Sequence, residues 1–199
     1  MSSVIYEKDE NNIVHLILDK PNSGANLMDS EFTNSLVEAV EKLRNDDYVG
    51  VIYRSNKSTF FAGGNLDDLY ATTKDNAHVL YDMVDKLKLA MRELETSGKP
   101  VVACINGAAL GGGWELALAC HHRVALSKGV ILGLPEVTLG LLPGGGGVIR
   151  MSRLLGLHAA LPYLTEGKHV IRVQEHINEE ALTRRRGEAK NFHLIEFDV

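Results

Sequence analysis

Nine of the 19 glycines in this 199-residue chain fall in three clusters: Gly63-Gly64, Gly111-Gly112-Gly113 and Gly144 to Gly147. Clustered glycine marks backbone that turns sharply or approaches something a Cβ would exclude, so the fold must contain three points of close approach. The segments around these clusters alternate in character. Ile13 to Leu18 (IVHLIL), Val49 to Tyr53, Phe60 to Ala62, Val101 to Ile105, Arg123 to Leu126 and Val130 to Leu132 are short apolar runs that read as strands. Asp29 or Ser30 caps a helix to Arg44, with Phe32, Leu36, Val40 and Leu43 on one face. A longer helix between Asn76 and Glu95 carries a stripe of Val79, Met83, Leu87, Ala90, Met91 and Leu94, and Ser97-Gly98-Lys99-Pro100 stops it. Trp114 to Cys120 and Val148 to Leu155 also read as helices. Val101 to Ile105 is almost wholly apolar, as in a strand covered on both faces, and the helix before it supplies a crossover. The expected fold is therefore one α/β domain with a parallel sheet.

Composition limits what such a domain can do. Hydrophobic residues make up 45% and charged residues 24%, ordinary globular usage. A chain of this size buries about 70% of its unfolded surface, so its core needs no disulfide or structural metal. Cys104 and Cys120 lie in apolar runs and read as reduced thiols. The net charge of −5 argues against a phosphate-backbone partner, so no nucleic acid is expected. Pro100 to Cys120 is interrupted by Asn106, four glycines and Glu115 and does not read as a membrane span. Met1 to Tyr6 runs straight into charged residues, which is not a leader pattern, so a cytoplasmic protein is expected.

Nucleotide motifs do not account for the glycines. None of the clusters is followed by the Lys-Ser/Thr of a phosphate-binding loop, and Leu116 stands where a dinucleotide fingerprint needs its third glycine. There is no Gly-x-Ser-x-Gly elbow, and His121-His122 lacks further ligands at usable spacing, so no metal site is expected. Phe60 to Leu66 and Asn106 to Glu115 share one pattern, in which a strand ends in glycines just before a helix begins. Peptide N–H groups at such turns lack helix partners and can form an oxyanion hole, or the glycines can simply permit tight packing. Glu115 and Glu136 are lone acids in apolar company near these turns. Burial raises a carboxyl pKa toward neutrality, as general acid or base work needs, although either residue could instead cap a helix.

Three ordered segments carry a family resemblance: Phe61-Ala-Gly-Gly-Asn-Leu66, Lys99 to Glu115 (KPVVACINGAALGGGWE), and Leu134 to Gly147 (LPEVTLGLLPGGGG). Together they resemble the crotonase family of enoyl-CoA hydratases and isomerases, most like the hydratase portion of multifunctional fatty-acid oxidation proteins. The resemblance covers roughly Ile13 to Lys168 and implies a single crotonase-like domain of repeated ββα units with a mostly parallel sheet. It implies oxyanion donors at the Gly64 and Gly112 N–H groups, and catalytic Glu115 and Glu136 holding a water. Glu115 would act as base toward that water and Glu136 as proton donor to C2. Ala62, Gly63 and Leu66 would bind the coenzyme A substrate, with no separate cofactor.

The resemblance further implies a homo-oligomer, a trimer or a multiple of it, and a crotonase-like core over residues 1–172. Residues 173–199 read as an atypical tail, since ten of the 26 residues from Gln174 onward are charged and only Ile195, Phe197 and Val199 alternate. Two sequence departures stand out. Asn65 occupies a position where the family most often has Asp, and the spacing between Glu115 and Glu136 implies an extra residue near Ser127-Lys128-Gly129. The implied function is hydration of a 2,3-enoyl thioester in fatty-acid β-oxidation. The alternatives are an enoyl-CoA isomerase and a shortened, weakly active or inactive acyl-CoA-binding subunit.

Overall fold

The computed structural model describes residues 2–170 and 192–194. Its strands are β1 (Val4–Lys8), β2 (Ile13–Leu18), β3 (Gly50–Ser55), β4 (Val101–Ile105), β5 (Ala109–Leu110), β6 (His122–Leu126), β7 (Leu132–Gly133), β8 (His169–Val170) and β9 (Phe192–Leu194). The α-helices are α1 (Ser30–Arg44), α2 (Leu66–Tyr70), α3 (Ala77–Glu95), α4 (Gly112–Leu118), α5 (Gly147–Leu155) and α6 (Leu157–Thr165), with a 3-10 turn at Pro135–Leu139.

Two sheets organise these elements. The larger runs β1-β2-β3-β4-β6-β9, with β2, β3, β4 and β6 mutually parallel and the edge strands β1 and β9 antiparallel. The smaller runs β5-β7-β8 and is extended at its other side by a parallel bridge from Phe61 to Ala109. The mostly parallel α/β reading is thus met, and each repeat leaves the large sheet, contributes a short piece to the small one and then turns into a helix. Strand β4 is followed by β5 and α4, and β6 by β7, the 3-10 turn and α5. Phe60 to Ala62 belongs to the small layer through that single bridge and is no strand of the main sheet. Its backbone is spent on close pairing, with the Phe60 and Phe61 N–H groups both donating to the Ala108 carbonyl at 3.0 and 2.9 Å.

Helix α1 begins where its cap residues place it, for Asp29 accepts a hydrogen bond from the Phe32 N–H at 2.9 Å. Its buried face of Phe32, Leu36, Ala39, Val40 and Leu43 packs into one core with Leu16, Tyr53, Phe60, Phe61, Ile105 and Trp114. Phe32 meets Phe61 edge to face at 4.8 Å between ring centroids, so α1 and the small layer share an aromatic contact.

Two expectations need correction. The stripe on α3 is only half used. Leu87, Ala90, Met91 and Leu94 are buried, whereas Val79 is 57% exposed and Met83 half-buried. The first half of the helix buries no residue, so the periodicity runs on past the surface that the core covers. Strand β4 is not fully covered on both faces either: Val101, Ala103 and Ile105 are buried, but Val102 and Cys104 on the opposite face are half-buried. Two further elements carry weak sequence signals and were not expected. Strand β1 buries only Val4 among its five residues, and α6 carries Pro162 in its interior, where proline ordinarily breaks a helix. Neither announces itself by pattern. The boundary at residue 172 and the alternation of Ile195, Phe197 and Val199 lie outside the described residues, although the backbone of Phe192–Leu194 pairs antiparallel with β6.

The half-anchored α3 predicts unequal mutations. Leu87→Ala should lower the unfolding free energy by about 2–5 kcal/mol in denaturant titration, and Val79→Ala by about 0.5 kcal/mol or less. Equal losses at the two positions would mean that the exposed half of α3 is packed as tightly as the rest.

Candidate active site

The first two glycine clusters meet at the edge of the small layer. Gly111 adopts φ +53° and ψ −126°, a conformation open to glycine, and its N–H donates to the Gly133 carbonyl at 2.9 Å. This turn starts α4 immediately, so the Gly112, Gly113 and Trp114 N–H groups form the first helical turn, which has no intrahelical acceptors. At Gly113 a Cβ would stand 2.5 Å from the Phe61 carbonyl oxygen and 2.6 Å from the Phe61 Cβ. No larger residue could bring α4 this close to Phe61.

The Gly63-Gly64 turn is pinned by Met28, a residue with no sequence signal of its own. The Met28 N–H donates to the Gly63 carbonyl at 2.8 Å, and the Asn65 N–H donates to the Met28 carbonyl at 3.1 Å. This parallel bridge spends the groups on either side of Gly64 and leaves the Gly64 N–H out of the pairing. The Met28 side chain then covers the second turn, its Sδ lying 2.5 Å from where a Cβ on Gly112 would stand. One residue thus spans both candidate donors, by backbone to the Gly64 turn and by thioether to Gly112.

Asn26 fixes the strand ends behind them. Its buried amide donates toward the Leu18 carbonyl, the Ser55 Oγ and the Phe60 carbonyl at 3.2, 2.9 and 3.0 Å, and its own carbonyl accepts from the Ala62 N–H at 2.9 Å. An asparagine in a loop of turn formers gives no hint of this role. Around the turn Ala62, Gly64 and Leu66 are exposed while Gly63 is buried. Asn65, the departure noted above, caps α2 by accepting from the Asp67 N–H at 3.0 Å. Gly129, beside the other departure, takes φ +76° in the loop between β6 and β7.

The two glutamates are brought to these turns and given unlike surroundings. Glu115 lies in the first turn of α4 and is 2% exposed. Its Oε1 accepts the Gly147 N–H at 2.7 Å, and its Oε2 lies 2.7 Å from where a Cβ on Gly145 would stand. The third glycine cluster is therefore the cradle of the Glu115 carboxylate. Burial holds its pKa above the ordinary carboxyl value, and the Gly147 and Gly145 amides and the Arg150 charge offset only part of that rise. Glu136 lies in the 3-10 turn, with its Oε1 3.1 Å from where a Cβ on Gly111 would stand. Its Oε2 is buried and meets no hydrogen-bond partner among the described residues. Burial raises its pKa to about 7, with the Glu115 charge adding to the rise and its own backbone N–H opposing it. Two carboxyl groups in mutual electrostatic contact thus have unlike settings, Glu115 held by the Gly147 N–H and Glu136 with an unpartnered Oε2, the kind of difference that pushes two carboxyl pKa values apart.

Elsewhere the described residues hold no group of three or more His, Cys, Asp or Glu side chains arranged for a metal ion, and no helix long and apolar enough to cross a membrane.

Comparison with known proteins agrees with this geometry. Residues 8–178 match the family model described as enoyl-CoA hydratase/isomerase. The fatty acid oxidation complex subunit alpha of a Shewanella species is 40% identical over 165 residues, 81% of this chain and 23% of that protein. The chain thus spans about a quarter of the length of the curated relatives it matches. Among solved structures, an enoyl-CoA hydratase from Geobacillus kaustophilus superposes with a TM-score of 0.79 at 28% identity, over 92% of this chain and 66% of its own. One from a Polaromonas species gives 0.77 at 30% identity, over 84% and 64%. The motifs, the two-layer fold and these matches agree, and the chain belongs to the enoyl-CoA hydratase/isomerase family, the crotonases.

Proposed function

We propose that the chain carries an enoyl-CoA hydratase site, acting on 2,3-enoyl thioesters of coenzyme A in fatty-acid β-oxidation. The observation that carries the reading is the unlike treatment of two neighbouring carboxyl groups beside the two glycine turns. Glu115, held by the Gly147 N–H, is suited to the anionic form. Glu136, half-buried and with no partner for its buried Oε2, is suited to the protonated form near neutrality.

A water between the two groups gives up a proton to Glu115 as its oxygen bonds to C3. The C2–C3 π electrons move to C2 and onto the thioester oxygen, making an enolate. The Gly64 and Gly112 N–H groups donate to that oxygen, and such donors are each worth about 10²–10³ in rate. Glu136 then delivers its proton to C2, and the sum is syn addition of water to give a 3-hydroxyacyl thioester. No redox group or metal enters these steps, and coenzyme A arrives as part of the substrate. Ala62, Gly63 and Leu66 form the turn that receives it, with Ala62 and Leu66 exposed for contact. A cytoplasmic homo-oligomer, trimeric or a multiple of that, is the assembly in keeping with the reading. Leu142, Ile149 and Leu157 are apolar side chains left exposed by 81, 59 and 67%. The core extends to residue 172 in this reading, and Phe192–Leu194 within 173–199 adds the edge strand β9 to its main sheet.

Glu115→Gln and Glu136→Gln should each lower kcat for crotonyl-CoA hydration by about 10²–10⁴-fold, the usual share of a positioned acid or base. Unmutated rates in both would refute the assignment.

The raised pKa of Glu136 gives two pH effects of definite sign. The proton-donating form is lost above about 7, so kcat/KM should fall on the alkaline side with a midpoint near that value. Because the folded state holds this proton more tightly than the unfolded chain, folding stability falls as pH rises from the ordinary carboxyl range through about 7. Glu136→Gln should therefore raise Tm at pH 8 and leave it nearly unchanged at pH 4.5. A variant less stable than the parent at pH 8 would show that folding does not raise the pKa of this carboxyl.

A further inference from the structure

Gly145 and Gly147 hold Glu115, but the loop that contains them has no side chains of its own with which to keep its place, and Gly146 within it sits at φ +104°. What holds the loop is one turn into α5. The Arg150 Nη1 donates to the Gly145 carbonyl at 3.0 Å, while its Nε and Nη2 donate to Glu95 Oε1 and Oε2 at 3.1 and 3.2 Å. Glu95 is the last residue of α3, 55 positions away in sequence, and it also accepts from Arg92 Nη1 at 2.8 Å. The Arg150 side chain is 13% exposed and Glu95 26%, so the fork is shielded far more than an ordinary surface pair.

The geometry matches what a guanidinium does and an ammonium cannot. A planar group with donors on two edges fixes a carboxylate bidentately on one edge and a carbonyl on another. Its anchor lies in the well-packed end of α3, where Leu87, Ala90, Met91 and Leu94 are buried. Rigidity thus passes from the core to a glycine loop and from there to the carboxylate that the loop cradles. The charged and titratable groups that face the guanidinium are Glu95 and Arg92 from α3, Glu115 from α4 and Cys120 just beyond that helix, with Glu136 coupled through Glu115.

We propose that Arg150 is a positioning residue for the base Glu115, with Glu95 its fixed anchor, holding the Gly145–Gly147 loop so that the Gly147 N–H stays on the carboxylate. The proposal rests on the hydratase reading for its kinetic consequences, but its geometric content stands apart from turnover. Arg150 touches neither substrate nor water in this role.

The test compares the full chain with Arg150→Gln, Arg150→Lys and Glu95→Gln, using Glu115→Gln as control. Steady-state hydration of crotonyl-CoA is followed across pH, and amide hydrogen exchange at Gly147 is followed by NMR. Arg150→Gln should lower kcat about 10–100-fold, the scale of a small misplacement of a reacting group, with KM within about twofold. Loss of the cation makes the Glu115 anion less favoured, so the acidic limb of kcat/KM should move to higher pH. Exchange at Gly147 should accelerate. Arg150→Lys keeps the charge but not the fork, so it should restore the acidic limb more fully than kcat. Glu95→Gln should change the same quantities in the same direction, by less, and decides the question if Arg150→Gln does not fold.

Variants that only lower Tm, with kcat, the acidic limb and Gly147 exchange unchanged, would make Arg150 a staple between helices and overturn the proposal. Unmutated turnover in Glu115→Gln would overturn the hydratase reading instead. Exchange at Gly147 would then still decide whether Arg150 holds the loop, as it also would if the parent chain showed no turnover.

Discussion

Gly113 brings the first turn of α4 onto the Phe61 backbone, at a separation where a Cβ would stand 2.5 Å from the Phe61 carbonyl oxygen. From that contact the rest of the site follows. It sets Gly112 under the Met28 thioether, and Met28 in turn bonds the Gly63 carbonyl, so the two turns are locked in one arrangement. It also directs Glu115, two residues further along the helix, into the Gly145–Gly147 loop. A bulkier residue at 113 would move the helix away from Phe61 and carry Gly112 and Glu115 away from the Gly63-Gly64 turn.

The site concentrates features that are unfavourable to folding. It holds a carboxylate at 2% exposure, a second carboxyl with a buried oxygen that meets no partner among the described residues, and glycines in left-handed conformations. Each costs stability, and a core that includes Phe32, Phe60, Phe61 and Trp114 at 1% exposure or less offsets them. The pattern is one in which local rules are broken where function needs them broken and obeyed elsewhere. The difference between the glutamates has the same origin: both are raised by burial, but Glu115 is relieved by the amides of the Gly145–Gly147 loop and the Arg150 guanidinium, whereas Glu136 has only its own backbone N–H and is raised further by the Glu115 charge.

Much of this was legible in the residues. The glycine clusters, the lone acids Glu115 and Glu136, the Asp29 cap and the crossover before β4 all carry local signals, because turn geometry, capping and apolar runs are decided within a few residues. The second sheet was only partly legible: Phe60 to Ala62 and Val130 to Leu132 read as strand pieces, but not as members of a separate layer. Its strands β5, β7 and β8 are two residues each, too short for alternation to show, and they exist only because neighbouring repeats stack. Met28, Asn26 and Arg150 were invisible for a related reason, since each acts through contacts with segments remote in the chain.

What the sequence determined by itself was therefore the set of parts: an α/β domain, glycine turns that expose peptide N–H groups, and two carboxyl groups in apolar settings. Their assembly was decided by tertiary structure alone. Bringing Gly147 onto Glu115 spans 32 positions and joining Arg150 to Glu95 spans 55. Contacts at that separation leave no periodicity behind, because they depend on which surfaces pack together and not on the order of residues along either one. The sequence likewise shows the apolar stripe of α3, but only packing decided that Leu87 to Leu94 would be buried and Val79 would not.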